Sequence, residues 1–129
     1  MTSESFPETT AELSIDFAPL FENRLDKRSF QSGEVILAAG EKNRSLHVIL
    51  EGEVEIKAGN FRVASEGRGG IFGELSLIDD SPTSASVIAC SDGVCAVLDQ
   101  LEFVDLIQDH PFFAIAVMRV ICSRLRAMN

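Results

Sequence analysis

From Lys27 onward the apolar residues recur with a period of two. They fall in short runs at Arg28–Phe30, Val35–Ala38, Leu46–Leu50, Val54–Lys57 and Phe61–Ala64, punctuated by Gly33, Gly40, Gly52 and the pair Gly59-Asn60. A period of two puts successive side chains on opposite faces of an extended chain, and glycine between such runs supplies the turns. Many short strands at near-regular spacing mean an antiparallel sandwich or a barrel-like roll.

Helical spacing brackets this β region. Met1–Thr10 is polar and reads as a flexible terminus, while Thr9 or Thr10 can cap a short helix over Ala11–Phe17. Phe17, Leu20, Phe21 and Leu25 continue helical spacing across Pro19. Toward the other end, Ala85–Cys90 and Val94–Leu98 predict a hairpin about Asp92-Gly93. Asp99 predicts an N-cap for a helix over Gln100–Gln108, with Phe103, Leu106 and Ile107 on one face. His110-Pro111 ends it, and a longer helix runs from Pro111 to about Ala127. On that last helix Ala114, Met118, Ile121, Leu125 and Met128 form an apolar seam that Val117 and Val120 widen. Such a stripe packs on its own roll or pairs with a second copy, and its width favours a homodimer. The expected architecture is mostly β, an antiparallel roll of the jelly-roll or double-stranded β-helix type, with an N-terminal helix and two C-terminal helices. Residues 11–129 form one domain.

Composition enters as a filter. The chain has 129 residues, 46% of them hydrophobic and 24% charged, which suits one globular domain with one good core. A net charge of −9, with 11 basic residues spread along the length, argues against a nucleic-acid surface. No apolar run is long enough to cross a membrane, and Met1–Glu12 lacks the layout of a signal peptide, so a cytoplasmic address is expected. Cys90, Cys95 and Cys122 have no metal-binding spacing and read as reduced thiols, although a hairpin turn at Asp92-Gly93 would bring Cys90 and Cys95 opposite each other.

The stretch Gly69–Val87, GGIFGELSLIDDSPTSASV, carries the chemistry. Gly69, Gly70 and Gly73 allow close approach of the backbone, and N–H groups opening a short helix behind them make an anion seat. Glu74, an acceptor-only carboxylate in the same turn, suits paired sugar hydroxyls. Phosphate with ribose is the ligand chemistry these residues point to.

FGELSLIDDSPTSASV resembles the phosphate-binding cassette of the cyclic nucleotide-binding domain family, the sensor of catabolite activator proteins and of regulated kinases and channels. That cassette reads roughly F-G-E-L-x-L, a spacer, then P-R-x-A. Phe72, Gly73, Glu74, Leu75, Leu77, Pro82 and Ala85 stand in register, and Thr83 stands where the family has arginine. GEVILAAGEKNRSLHVILEGEVEI is similar to the family's first strands and their glycine turns. The resemblance implies a cyclic nucleotide ligand, cAMP or cGMP. Its ribose would sit on Glu74 and its phosphate on backbone N–H groups near Leu75, Ser84 and Ala85. It also implies a C-terminal helix that serves as dimer seam and lid. With Thr83 for arginine the phosphate loses a charge-assisted partner, weakening binding by about ten- to a hundredfold or more, although a hydroxyl can still donate once. Arg62 and Arg68 flank the approach and could supply the missing charge.

Three function classes follow. The first is a ligand-sensing regulatory module acting on an effector protein that the sequence does not identify. The second is a degenerate relative that keeps the fold and the helix seam as a dimerisation or docking module. The third, an enzyme, lacks a nucleophile–base pair or metal cluster to carry it. His47 reads as a half-exposed strand residue and His110 as a turn residue. Asp79-Asp80-Ser81-Pro82 reads as a solvated turn, short of a calcium loop. No catalytic residue, metal site or cofactor is expected.

Overall fold

The computed structural model describes residues 18–24 and 26–128; the expected terminus 1–10 and helix Ala11–Phe17 lie outside them. After a short 3-10 helix, Ala18–Phe21, come β1 (Lys27–Phe30), β2 (Val35–Leu37), β3 (Leu46–Glu51), β4 (Val54–Ala58), β5 (Phe61–Glu66) and β6 (Ile71–Phe72). Then follow α1 (Glu74–Asp79), β7 (Ser86–Ala89), β8 (Gly93–Leu98), α2 (Gln100–Asp109) and α3 (Pro111–Met128). The strands form two four-stranded antiparallel sheets, ordered β1-β8-β3-β6 and β2-β7-β4-β5. This is the expected antiparallel roll with helices behind it.

The strand period explains why there are two apolar layers. Leu46, Val48 and Leu50 of β3 point to the helices, where Phe21, Phe113 and Val117 close one core. Ile49, between them, points to the inter-sheet core with Phe30, Ile56 and Phe72. Each such side chain contributes about 1.5–3 kcal/mol when fully buried. Because β3 is covered on both faces, His47 is buried at 5% exposure, which corrects its expected half-exposed position.

The expected hairpin over 85–98 is not one. β7 pairs with β2 and β4 in one sheet, whereas β8 is inserted between β1 and β3 in the other. The chain changes sheets at Gly93, where a Cβ would stand 2.2 Å from the Glu51 carbonyl oxygen and 2.4 Å from the Phe30 ring. That crossing separates the two cysteines: Cys90 is exposed, Cys95 is buried, and both are free thiols. Burial pushes the Cys95 thiol up to about 11, which keeps it neutral and unreactive.

Asp99 caps α2 as expected, in a full capping box with Glu102. On α3, Phe113, Ala116, Val117 and Val120 face the roll, so Val117 and Val120 belong to the core and not to an outward seam. Phe112, Ile115, Met118 and Leu125 stay exposed on the outer face.

Candidate functional site

The cassette folds as expected from its glycines. Gly73 opens α1 at φ 83°, and a Cβ there would lie 2.6 Å from the Ser45 carbonyl oxygen, so only glycine fits. The Asn43 side-chain amide donates to the carbonyls of Ser45, at 2.9 Å, and Gly73, at 3.2 Å, tying the cassette to the chain ahead of β3. Beneath it the His47 ring stacks on Phe72, with centroids 4.6 Å apart and planes 7° from parallel.

His47 makes this support sensitive to acid. Burial, helped by the charge of Arg28, lowers its pKa to about 4, and its Nδ1 has no partner among the described residues. Between about pH 6.5 and 4 the unfolded chain therefore binds a proton that the folded one refuses, and stability falls as pH falls through that window. A thermal melt at pH 5.5 should show a loss of about 1 kcal/mol relative to pH 7.5 that a His47→Phe variant does not share. Equal acid sensitivity in the two proteins would remove His47 as the cause.

Gly73, Glu74, Leu75, Thr83, Ser84 and Ala85 all line one cleft of about 50 Å³, so the structure brings the expected cassette residues together. Leu37, Ile56, Val63, Phe72 and Val87 make its remaining walls largely apolar. Pairing the sheets across their inner faces turns these alternate strand residues toward the cleft.

One lining residue escaped the sequence reading. Arg124, from the inward face of α3, enters the cleft and is buried at 4% exposure. One guanidinium nitrogen donates to the Glu74 carboxylate, and the other to Glu66 at 2.8 Å and to the Ile71 carbonyl. Burial opposes the charge on Arg124, but the two carboxylates outweigh it and hold the group above its ordinary range. Glu66 and Glu74 are themselves 1% and 3% exposed. The signal was present: Arg124 follows Val117 and Val120 by seven and four positions, so it falls on the core-facing stripe, where a charge needs a partner.

Thr83 is not free to donate to a ligand, which corrects the expectation for its hydroxyl. Oγ1 donates to the Ala38 carbonyl at 2.8 Å, with the Glu41 carbonyl at 3.3 Å. Its N–H donates to Glu41 and its carbonyl accepts from Gly40, so the residue sews the cassette to the chain after β2. Nor do the flanking arginines replace the missing cation. Arg62 is exposed on β5 opposite Lys57, and Arg68 donates to the Leu50 carbonyl at 3.0 Å and to Glu22 at 2.6 Å; neither lines the cleft.

The remaining polar candidates are held by local hydrogen bonds. The Asp79 carboxylate accepts from the Ser81 N–H and hydroxyl, which hold it below its usual range in a closed turn. His110 ends α2 with its N–H on the Leu106 carbonyl. Among the described residues no group of His, Cys, Asp or Glu is placed to hold a metal, and no single helix is long and apolar enough to cross a membrane.

Comparison with known proteins adds the following. Residues 27–110 match the family model described as the cyclic nucleotide-binding domain. A cAMP-dependent protein kinase regulatory subunit of Candida albicans is 33% identical over 88 residues, 68% of this chain and 19% of that protein. A lysophospholipase NTE1 of Chaetomium globosum is 29% identical over 121 residues, 90% of this chain but 8% of the enzyme. The chain thus spans a small part of the curated relatives it matches. Among solved structures, the Thermus thermophilus catabolite activator protein superposes with a TM-score of 0.67 at 28% identity, over 78% of this chain and 49% of that one. A structure titled cAMP-bound PfPKA-R superposes with a TM-score of 0.72 at 24% identity, over 80% and 36% of the two chains, a likeness of fold.

Proposed function

The chain belongs to the cyclic nucleotide-binding domain family, and from that premise we propose that it is the ligand-sensing unit of a regulatory protein. Its cassette cleft seats the ribose of a cyclic nucleotide, and α3 answers to occupancy. The observation that carries this reading is the bond from Arg124 to Glu74, which joins the C-terminal helix directly to the residue placed for the sugar. A ribose hydroxyl donating to Glu74 competes with Arg124 for the same carboxylate, and a ligand that favours one arrangement of that pair shifts the position of α3. The cleft itself favours coupling: Arg124 lines it beside Glu74, so a ligand that reaches Glu74 meets the guanidinium from α3.

The reading is non-enzymatic. The module acts on a separate effector in the cytoplasm, where thiols such as Cys90 and Cys122 stay reduced. Two copies pair through the outer face of α3, where Met118 and Leu125 are 55% and 48% exposed in line with half-buried Ala114 and Ile121.

Thermal melts with cAMP and with cGMP test the sensing role. A ligand at a hundred times its Kd adds about 2.7 kcal/mol, which millimolar nucleotide should deliver for a site of about 10 µM. Sedimentation of the same samples should find a dimer. Silence toward every ligand tried would leave the chain a docking module with an empty cleft, and a monomer at all concentrations would remove the paired helix.

A further inference from the structure

Resting on the sensing role just proposed, we infer that the cleft prefers an uncharged ribonucleoside to a cyclic nucleotide. The engagement of the lining's cation carries the step. Among the described residues lining the cleft Arg124 is the one cation, and it is already engaged by two carboxylates at Glu66 and Glu74. Two carboxylates thus meet one guanidinium, and Arg124 has no charge to spare for a ligand.

A cyclic phosphate brings a further negative charge beside Glu74. At the position where the cassette would meet it stands Thr83, whose hydroxyl proton points at the Ala38 carbonyl and which offers an incoming anion only oxygen lone pairs. Its N–H is likewise on Glu41. Backbone N–H groups of the cassette can hydrogen-bond a phosphate but cannot neutralise it, and an anion drawn from water beside the Glu74 carboxylate with no unengaged cation is penalised.

The same lining suits a neutral guest. Glu74 accepts hydrogen bonds and cannot donate them, so it calls for hydroxyl donors, which a ribose supplies as a vicinal pair. The walls of Leu37, Ile56, Val63 and Val87 call for a flat, weakly polar body, which a nucleobase supplies. Sugars and polyols satisfy the first demand and leave the walls uncovered. A nucleoside satisfies both, and its 5′ hydroxyl is uncharged where the phosphate would be.

Calorimetric titration of the whole chain with adenosine, guanosine, inosine, cytidine and uridine, beside cAMP and cGMP, decides the matter. At least one nucleoside should bind about tenfold or more tightly than the cyclic nucleotide of the same base, the scale of one charge-assisted hydrogen bond that the phosphate cannot make. Its 2′-deoxy form should lose about tenfold or more, since Glu74 then faces one donor fewer. Cyclic nucleotide binding as tight as or tighter than nucleoside would overturn this inference and leave the sensing role standing. Equal binding of the 2′-deoxy form would overturn it by removing the sugar from Glu74. If no nucleoside and no cyclic nucleotide binds, the sensing role falls with it.

Discussion

Replacing Arg124 with methionine is expected to cost about 3–5 kcal/mol of stability, the range for stripping one partner from a buried ion pair. Methionine keeps most of the volume and the unbranched stem, so the loss is one of charge and hydrogen bonds, not of packing. It removes the guanidinium that donates to both Glu66 and Glu74, which are 1% and 3% exposed. For a chain of 129 residues each kcal/mol lowers Tm by about 4 °C, so calorimetry or circular dichroism would show the effect at once. The pH dependence identifies its origin. Removing the guanidinium disfavours the charged form of the carboxylates it served, so the folded variant takes up protons more readily and regains stability as pH falls. A triple variant with Glu66→Gln and Glu74→Gln added should recover much of the loss at neutral pH. A change within about 1 kcal/mol of wild type would mean that the latch between α3 and the cassette is open in solution.

The latch also marks what local pattern can and cannot reveal. Strand positions were legible because β-branched runs with glycine breaks are a local signal; β2, β4 and β8 lie within a residue or so of their expected places. The partner of each strand was not legible. Whether β7 turns back on β8 or leaves it for another sheet depends on the close approach of Gly93 to Glu51 and Phe30, residues distant in sequence. His47 failed for a related reason: period two assigns it a face, but not that Phe72, twenty-five positions on, covers that face. Most of the cassette was legible, since Gly73, Glu74, Leu75 and Thr83–Ala85 are one contiguous stretch that folds onto itself. Arg124 closes the site from another element fifty residues beyond Glu74, and only its place on the inward stripe of α3 betrays it. Arg62 and Arg68 lie nearer in sequence and do not line the cleft, because strand direction carries them elsewhere.

Thr83→Arg should raise the affinity for cAMP or cGMP by about ten- to a hundredfold, one charge-assisted hydrogen-bonded contact to the phosphate. The guanidinium would bring a positive charge that, unlike that of Arg124, is not already engaged by Glu66 and Glu74, so anion and site would then be complementary. Loss of the hydroxyl bond to Ala38 works the other way and costs about 1 kcal/mol of stability, which Thr83→Val isolates because it removes the same bond without adding charge. Comparing the two variants separates the cation from the severed tie. Affinity for a neutral nucleoside should change little in Thr83→Arg, so the order of ligand preference reverses while Glu74 keeps its part. Salt supplies an independent check: screening should weaken the cyclic nucleotide bound to Thr83→Arg more than a nucleoside bound to wild type, because only the first contact is ionic. Should Thr83→Arg fold and bind cyclic nucleotide no better than Thr83→Val, position 83 does not face the phosphate. The cassette would then hold its ligand, if any, in another orientation.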